Sequence, residues 1–221
     1  MGADLKLSSL CIVNTQCRCF NETGTSKLHV DCAHSMIKNI PEVPRNVHIF
    51  NLQHNRIKKI EDNVFQSLTT LFSLDLSYNK ITSLKSNSFE GLGELRVLNL
   101  NDNPIEYTGF PNGSFIPLVS LIRLCIKTTT KAFGQCTNIF SDKTMSDLKT
   151  LEELEIDNPV PIGRIIIFGE GYKYLNHLIS LNIGICYYPV LVDEKTFQFM
   201  PHLTFSVVCL SSRVDIKVYK A

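Results

Sequence analysis

Leu71-Phe72-Ser73-Leu74-Asp75-Leu76-Ser77-Tyr78-Asn79 and Leu95-Arg96-Val97-Leu98-Asn99-Leu100-Asn101-Asp102-Asn103 repeat one pattern, L-x-x-L-x-L-x-x-N. The same phrase starts earlier as Val47, Phe50, Leu52 and Asn55, and the interval from Val47 to Leu71 equals that from Leu71 to Leu95. Its tail repeats too: Ile57, Ile60, Phe65 and Leu68 match Ile81, Leu84, Phe89 and Leu92, and Ile105 and Leu118 continue the series after a longer loop. A helix would show a 3.6-residue period; this pattern joins strand alternation to turns. Each unit offers one short strand with inward leucines that it cannot bury alone, so successive units must stack. Asparagine fits the end of such a strand because its amide both donates and accepts, and so can serve backbone groups that a curving loop leaves unpaired.

The period and the phrase identify a leucine-rich repeat solenoid, of α/β class. The expected form is a curved right-handed coil with a parallel sheet on its concave face. Irregular loops and short 3-10 or helical turns lie on the convex face, and a cysteine cap closes the N-terminal end. The expected divisions are a tail at 1–10, a cap at 11–46, about seven repeats at 47–211, irregular after 103, and a truncated end at 212–221. Later units start at Leu121, Leu151, Leu178 and Leu203, at intervals that are all longer than the first two and unequal among themselves. Their asparagine position holds Thr129, Pro159, Cys186 and Ser211, so the ladder of Asn55, Asn79 and Asn103 stops after three units. The last unit, Phe197 to Val208, is weak, and no cysteine-rich cap follows it. An end of that kind implies further repeats or a covering partner.

Cys11, Cys17, Cys19 and Cys32 stand where the first unit needs a lid, and a segment with little core of its own is readily held by crosslinks. Two disulfides among the four are expected, with pairing left open. The alternative is a zinc site made of the four thiolates, although C-x-C is a poor chelating unit. Leu28 to Cys32 alternates as one strand of a capping hairpin whose turn is Asn21 to Thr25. Cys125 and Cys136, inside the longest interval, suit a local disulfide, with free thiols the competing reading. Cys186 reads as a buried structural cysteine, while Cys209 has no evident partner. Eight cysteines, with sequons at Asn21-Glu22-Thr23 and Asn112-Gly113-Ser114, point to the secretory route and an extracellular location, with glycans at Asn21 and Asn112. Residues 1–10 make a poor signal peptide.

A net charge of +1 supplies no overall field toward nucleic acid or an anionic membrane, so no nucleic acid partner is expected. No apolar run is long enough to span a bilayer, so any membrane attachment would lie in further C-terminal segments. No nucleophile, phosphate-loop or metalloprotease motif occurs and the six histidines are scattered, so neither enzyme, metal nor cofactor is expected. Strand alternation sends His48, Asn51, Gln53, Ser73, Asp75, Ser77, Arg96, Asn99 and Asn101 to the concave face. The next unit adds Arg123 and Lys127, and the one after it Glu152, Glu153, Glu155 and Asp157. Cross-row ion pairing, at ~0–1 kcal/mol per surface pair, is the plain reading, and an acidic docking patch for a basic partner is the sharper one. Ile165 to Phe168 is an apolar run within the lengthened units. Ile166 and Phe168 are therefore either ligand contacts or loop packing.

The cap ending in Val30-Asp31-Cys32, with Ile37 to Pro41, Leu74 to Asn79, Phe89-Glu90-Gly91-Leu92 and Leu95 to Leu100, resembles the amino-terminal ectodomain of Toll-like receptors. Leu151 to Asp157 is similar to the lipopeptide-sensing subfamily. The resemblance runs from Cys11 to about Val208. It implies an innate immune receptor ectodomain that dimerises around a microbial ligand, or with a second receptor ectodomain, and signals through segments beyond this stretch. No ligand residue transfers by resemblance. The expected contact region is Lys127 to Phe168. The rivals are an adhesive or structural extracellular repeat protein and an antigen binder like the variable lymphocyte receptors.

Overall fold

The inward leucines of the phrase form buried columns that cross successive strands. In this computed structural model, which describes residues 16–105, 109–127, 142–156, 168–183, 197–211 and 214–218, with side chains through Thr204, ten strands make one sheet in chain order. They are β1 (Arg18–Asn21), β2 (Leu28–Asp31), β3 (Val47–Asn51), β4 (Ser73–Asp75), β5 (Val97–Asn99), β6 (Arg123–Ile126), β7 (Glu153–Ile156), β8 (Ser180–Ile183), β9 (Phe205–Ser211) and β10 (Val214–Val218). From β2 to β9 every neighbour is parallel, as right-handed stacking of one strand per turn requires. Each end differs. β1 pairs antiparallel with β2 in the cap hairpin, and β10 pairs antiparallel with β9 within the stretch expected to be a truncated end.

Register aligns Phe50, Leu74, Leu98, Leu124, Leu154 and Leu181 across the sheet, and all six are buried. A second column is Leu52, Leu76, Leu100, Ile126, Ile156 and Ile183. One continuous core therefore runs from Cys19 to Leu203, and each fully buried side chain in it stabilises by roughly 1.5–3 kcal/mol.

A third column unites the regular and irregular units. Phe65, Phe89, Phe115, Met145, Tyr172 and Phe197 are all buried, and each precedes the next strand-opening leucine by the same short step, as Phe65 precedes Leu71. The same two turn bonds follow every one: the amide three positions on donates to its carbonyl, at 2.9–3.1 Å, and the strand-opening leucine donates to that residue in turn, at 3.0–3.3 Å. Every added residue of the longer units hence falls between the end of a strand and this spine. Two of the intervening segments carry short helices, α1 (Asp142–Met145) and a 3-10 turn at Glu170–Tyr174, packed against each other. Turn spacing on the spine side is tight: Gly91 sits at φ +92°, and a Cβ there would lie 2.6 Å from the Gln66 backbone. Only glycine suits both constraints.

Asn55, Asn79 and Asn103 are each buried and each tie two turns together. The Asn79 Oδ1 accepts from the Ile57 amide at 3.0 Å, while Nδ2 donates to the Leu52, Leu76 and Ser77 carbonyls. Asn103 repeats this toward Ile81, Leu76, Leu100 and Asn101. Asn55 does the same toward the cap, accepting from Ser35 and Ile37 and donating to Cys32. Thr129, Pro159 and Cys186 lie outside the described residues.

In the cap, Cys17 and Cys32 form a disulfide and Cys19 is also disulfide-bonded; Cys11 lies outside the described residues. A zinc site using all four thiolates is therefore excluded, because oxidised sulfur has no thiolate to offer a metal. Among the described residues, no helix is long and apolar enough to cross a membrane.

Candidate functional site on the concave face

The outward rows of the sheet follow from its register. One row runs Ile49, Ser73, Val97, Arg123, Glu153, Ser180, and the next runs Asn51, Asp75, Asn99, Cys125, Glu155, Asn182. His48 and Arg96 do not sit in these rows, contrary to the alternation read from sequence. With Phe72, Ile122, Glu152 and Ile179 they form a flanking row joined by backbone bonds of 2.8–2.9 Å. The half-buried Ile49 and Val97 take the concave places instead, because they stand two residues before Asn51 and Asn99 and so share their face of the strand.

Over the first three units this face is polar and bonded to itself. The Asp75 carboxylate accepts from the Ser77 amide at 2.8 Å, from the Ser77 hydroxyl at 2.6 Å and from Asn99 Nδ2 at 3.1 Å. Over β6 and β7 it becomes charged. Arg123 pairs with Glu153 at 3.2 Å, both about half exposed, and Lys127 pairs with Glu155, whose side chains are 27% and 19% exposed. Burial pushes the Glu155 carboxyl up, yet the hydrogen bond and charge of Lys127, with a Cys125 contact and the Arg123 charge, bring it net below the usual value.

Arg123, Lys127, Glu153 and Glu155 thus meet in one patch, as cross-row pairing predicts. Two of the sequence-predicted contacts, Asp157 and Ile166, lie outside the described residues. Phe168 does not reach the patch: it is 3% exposed and packs on Tyr172 at 4.8 Å and Phe197 at 6.0 Å. Its reading as a ligand contact is corrected to core packing, because its ring is needed to cover the spine where the unit is long. The Cys125–Cys136 bridge is corrected as well. Cys125 is a free, buried thiol between Arg123 and Glu155, and burial pushes its pKa up to about 11, so it stays protonated and unreactive at neutral pH.

A second cluster escaped the sequence reading. His34 and His54 stack at 4.3 Å and 12°, and His54 and Tyr78 at 4.2 Å and 8°. The hydrogen bond from the Tyr78 hydroxyl to Asp102, then the Asp102 charge and burial, raise the Tyr78 pKa. All four residues have φ between 54° and 56°. The left-handed conformation swings each side chain to the flank of its turn, where the repeat places one above the next. The readable signal was position: His54, Tyr78 and Asp102 each directly precede a ladder asparagine. The two sequon asparagines, Asn21 and Asn112, are exposed. Among the described residues no group of three or more His, Cys, Asp or Glu side chains converges as a metal site would.

Known proteins match this geometry in two ways. Residues 45–105 match the leucine rich repeat family. The crystal structure of a TLR13–ssRNA13 complex superposes with a TM-score of 0.57 at 21% identity, over 73% of this chain. The chain spans 26% of the length of that structure's chain, about a quarter. No curated protein matches it in sequence. Repeat phrase, register and superposition agree, and the chain folds as a leucine-rich repeat solenoid.

Proposed function

We propose that the chain is a ligand-binding portion of the extracellular domain of an innate immune pattern-recognition receptor, one that signals when ligand brings two ectodomains together. The observation that carries this reading is the charged patch Arg123, Lys127, Glu153 and Glu155, on the units where the sequence loses its asparagine ladder. The fold likeness to a receptor ectodomain and the disulfide-bonded cap support it. The lengthened units begin with the strands that carry the patch, and insertions in solenoids often map to a working face. The patch offers paired charges of both signs on a rigid strand surface, which suits polar groups of a ligand or a second ectodomain better than a polyanion. The acids Glu152, Glu153 and Glu155 oppose phosphate, so the RNA named for the superposed protein is not proposed as this chain's ligand. A lipopeptide, the ligand class of the resembled subfamily, is the first probe.

Sedimentation velocity decides. The glycosylated chain should be monomeric alone and dimeric with synthetic lipopeptide, and charge reversal at Glu153 and Glu155 should abolish the shift. A stable dimer without ligand would favour the adhesive or structural alternative. A shift with single-stranded RNA, unaffected by the charge reversals, would overturn the ligand assignment.

A further inference from the structure

Backbone hydrogen bonds of 2.8–3.1 Å run without a break along the flank of the concave face, from His48 through Phe72, Arg96, Ile122, Glu152 and Ile179 to Thr204. These residues therefore stand one per turn at even spacing. The middle five, Phe72 to Ile179, read apolar, basic, apolar, acidic, apolar. Phe72 is 37% and Ile179 44% exposed, Arg96 and Glu152 are exposed, and Ile122 between them is half-buried. Arg96, Ile122 and Glu152 line one shallow depression. Arg96 and Glu152 are two strand spacings apart, roughly 9.6 Å. Among the described residues neither has an ion-pair partner, whereas Arg123 and Glu153, one position along, pair across adjacent strands.

We propose that this row is a two-fold contact surface for a second copy of the chain, with Ile122 on the axis. An antiparallel copy turned about Ile122 sets Ile122 on Ile122, Arg96 against Glu152, and Phe72 against Ile179. Every apolar side chain then meets an apolar one and each charge meets its opposite, as a self-complementary interface requires. The register is specific. Sliding by one turn sets a charge on an apolar side chain, and sliding by two sets Arg96 on Arg96 or Glu152 on Glu152. One row of five side chains is far smaller than the ~800 Å² per partner of a stable complex, so the copies pair weakly and the dilute chain is a monomer. The inference rests on the dimerising role proposed above and gives it a surface. Arg123 and Glu153 of the charged patch directly follow Ile122 and Glu152, so a ligand held at the patch lies beside the axis and adds contacts that the row alone lacks.

The test compares the full chain with its Arg96→Glu and Glu152→Arg variants, both changed at exposed places that the core does not use. Sedimentation equilibrium is run on protein alone at up to about 1 mM, where a weak contact shows. It is repeated on dilute protein with synthetic lipopeptide. Each single variant should associate at least about tenfold more weakly than the unaltered chain, because like charges then face each other. An equimolar mixture of the two should regain the original strength, since an all-acidic row meets an all-basic one. A chain that stays monomeric in both settings overturns the proposal, as does a mixture that associates no better than the single variants. Lipopeptide-induced dimers indifferent to both reversals overturn the row and leave the receptor reading standing. Rescue by mixing in concentrated protein, with no effect of lipopeptide, upholds the row and overturns that reading.

Discussion

The first three turns, β3 to β5, and the next three, β6 to β8, share one sheet, one buried leucine column and one spine, yet they are tied together differently. In the first set the turns keep one constant length, from Val47 to Leu71 and from Leu71 to Leu95, and a buried asparagine bonds each to its predecessor. In the second set the asparagine position holds other residues, the units are longer and unequal, and the described ties on the concave face are two ion bridges between β6 and β7 and a long hydrogen bond from Asn182 to Glu155. The difference shows which part of the repeat is indispensable. Strand and spine keep the same spacing in every unit, so stacking depends on the apolar half. The side-chain ladder belongs to the half that can change, and its loss releases the chain after the strand for insertion.

Removing a ladder residue tests this most severely. Asn79→Ala strips the buried Ile57 amide of its partner and leaves the Leu52 carbonyl with Asn55 alone, and should cost about 3 kcal/mol in urea denaturation. A loss below about 1 kcal/mol would make the ladder decorative and collapse the contrast. The shared apolar half should behave alike on both sides. Leu98→Ala and Leu154→Ala occupy equivalent columns at 0% and 2% exposure, and each should cost about 3 kcal/mol. A much smaller loss at Leu154 would mean that the later turns are packed more loosely, which sharpens the comparison in another direction. Gly91→Ala should cost about 2 kcal/mol, since left-handed backbone strain adds to contact with the Gln66 backbone.

Much of this was legible in the sequence. The period, the inward leucines, the ladder asparagines and the cap cysteines all follow from local rules about what a short strand must bury and pair. Contacts made across turns were harder to read. Nothing in the spacing of His34 and His54 announces a stack, because it arises from a left-handed backbone and from the rise between turns. Phe168 looked available in a run of isoleucines, and only the spine positions of Tyr172 and Phe197 show what it must cover. Cys125 looked ready to pair with Cys136, but strand pairing encloses it between β5 and β7. The spine itself was visible for two units and lost afterwards, because Phe115 follows a longer loop and Met145 and Tyr172 then replace phenylalanine.

The smallest expected effect bears on the site itself. Arg123–Glu153 and Lys127–Glu155 cross the same two strands, but the first pair is about half exposed and the second largely covered. Double-mutant cycles should give a coupling near zero for the first and approaching about 1 kcal/mol for the second. Glu155 has a folded pKa below its ordinary value of 4.5, so its contribution is complete above that value and lost as pH falls through the lower, folded one. Glu155→Gln should therefore lower stability at neutral pH and flatten its fall on acidification below 4.5. If the two cycles give equal couplings, the two bridges form one solvated network. The concave patch would then be a continuous charged surface without a buried centre, and charge reversal at Glu153 alone should disturb ligand as much as reversal at Glu155.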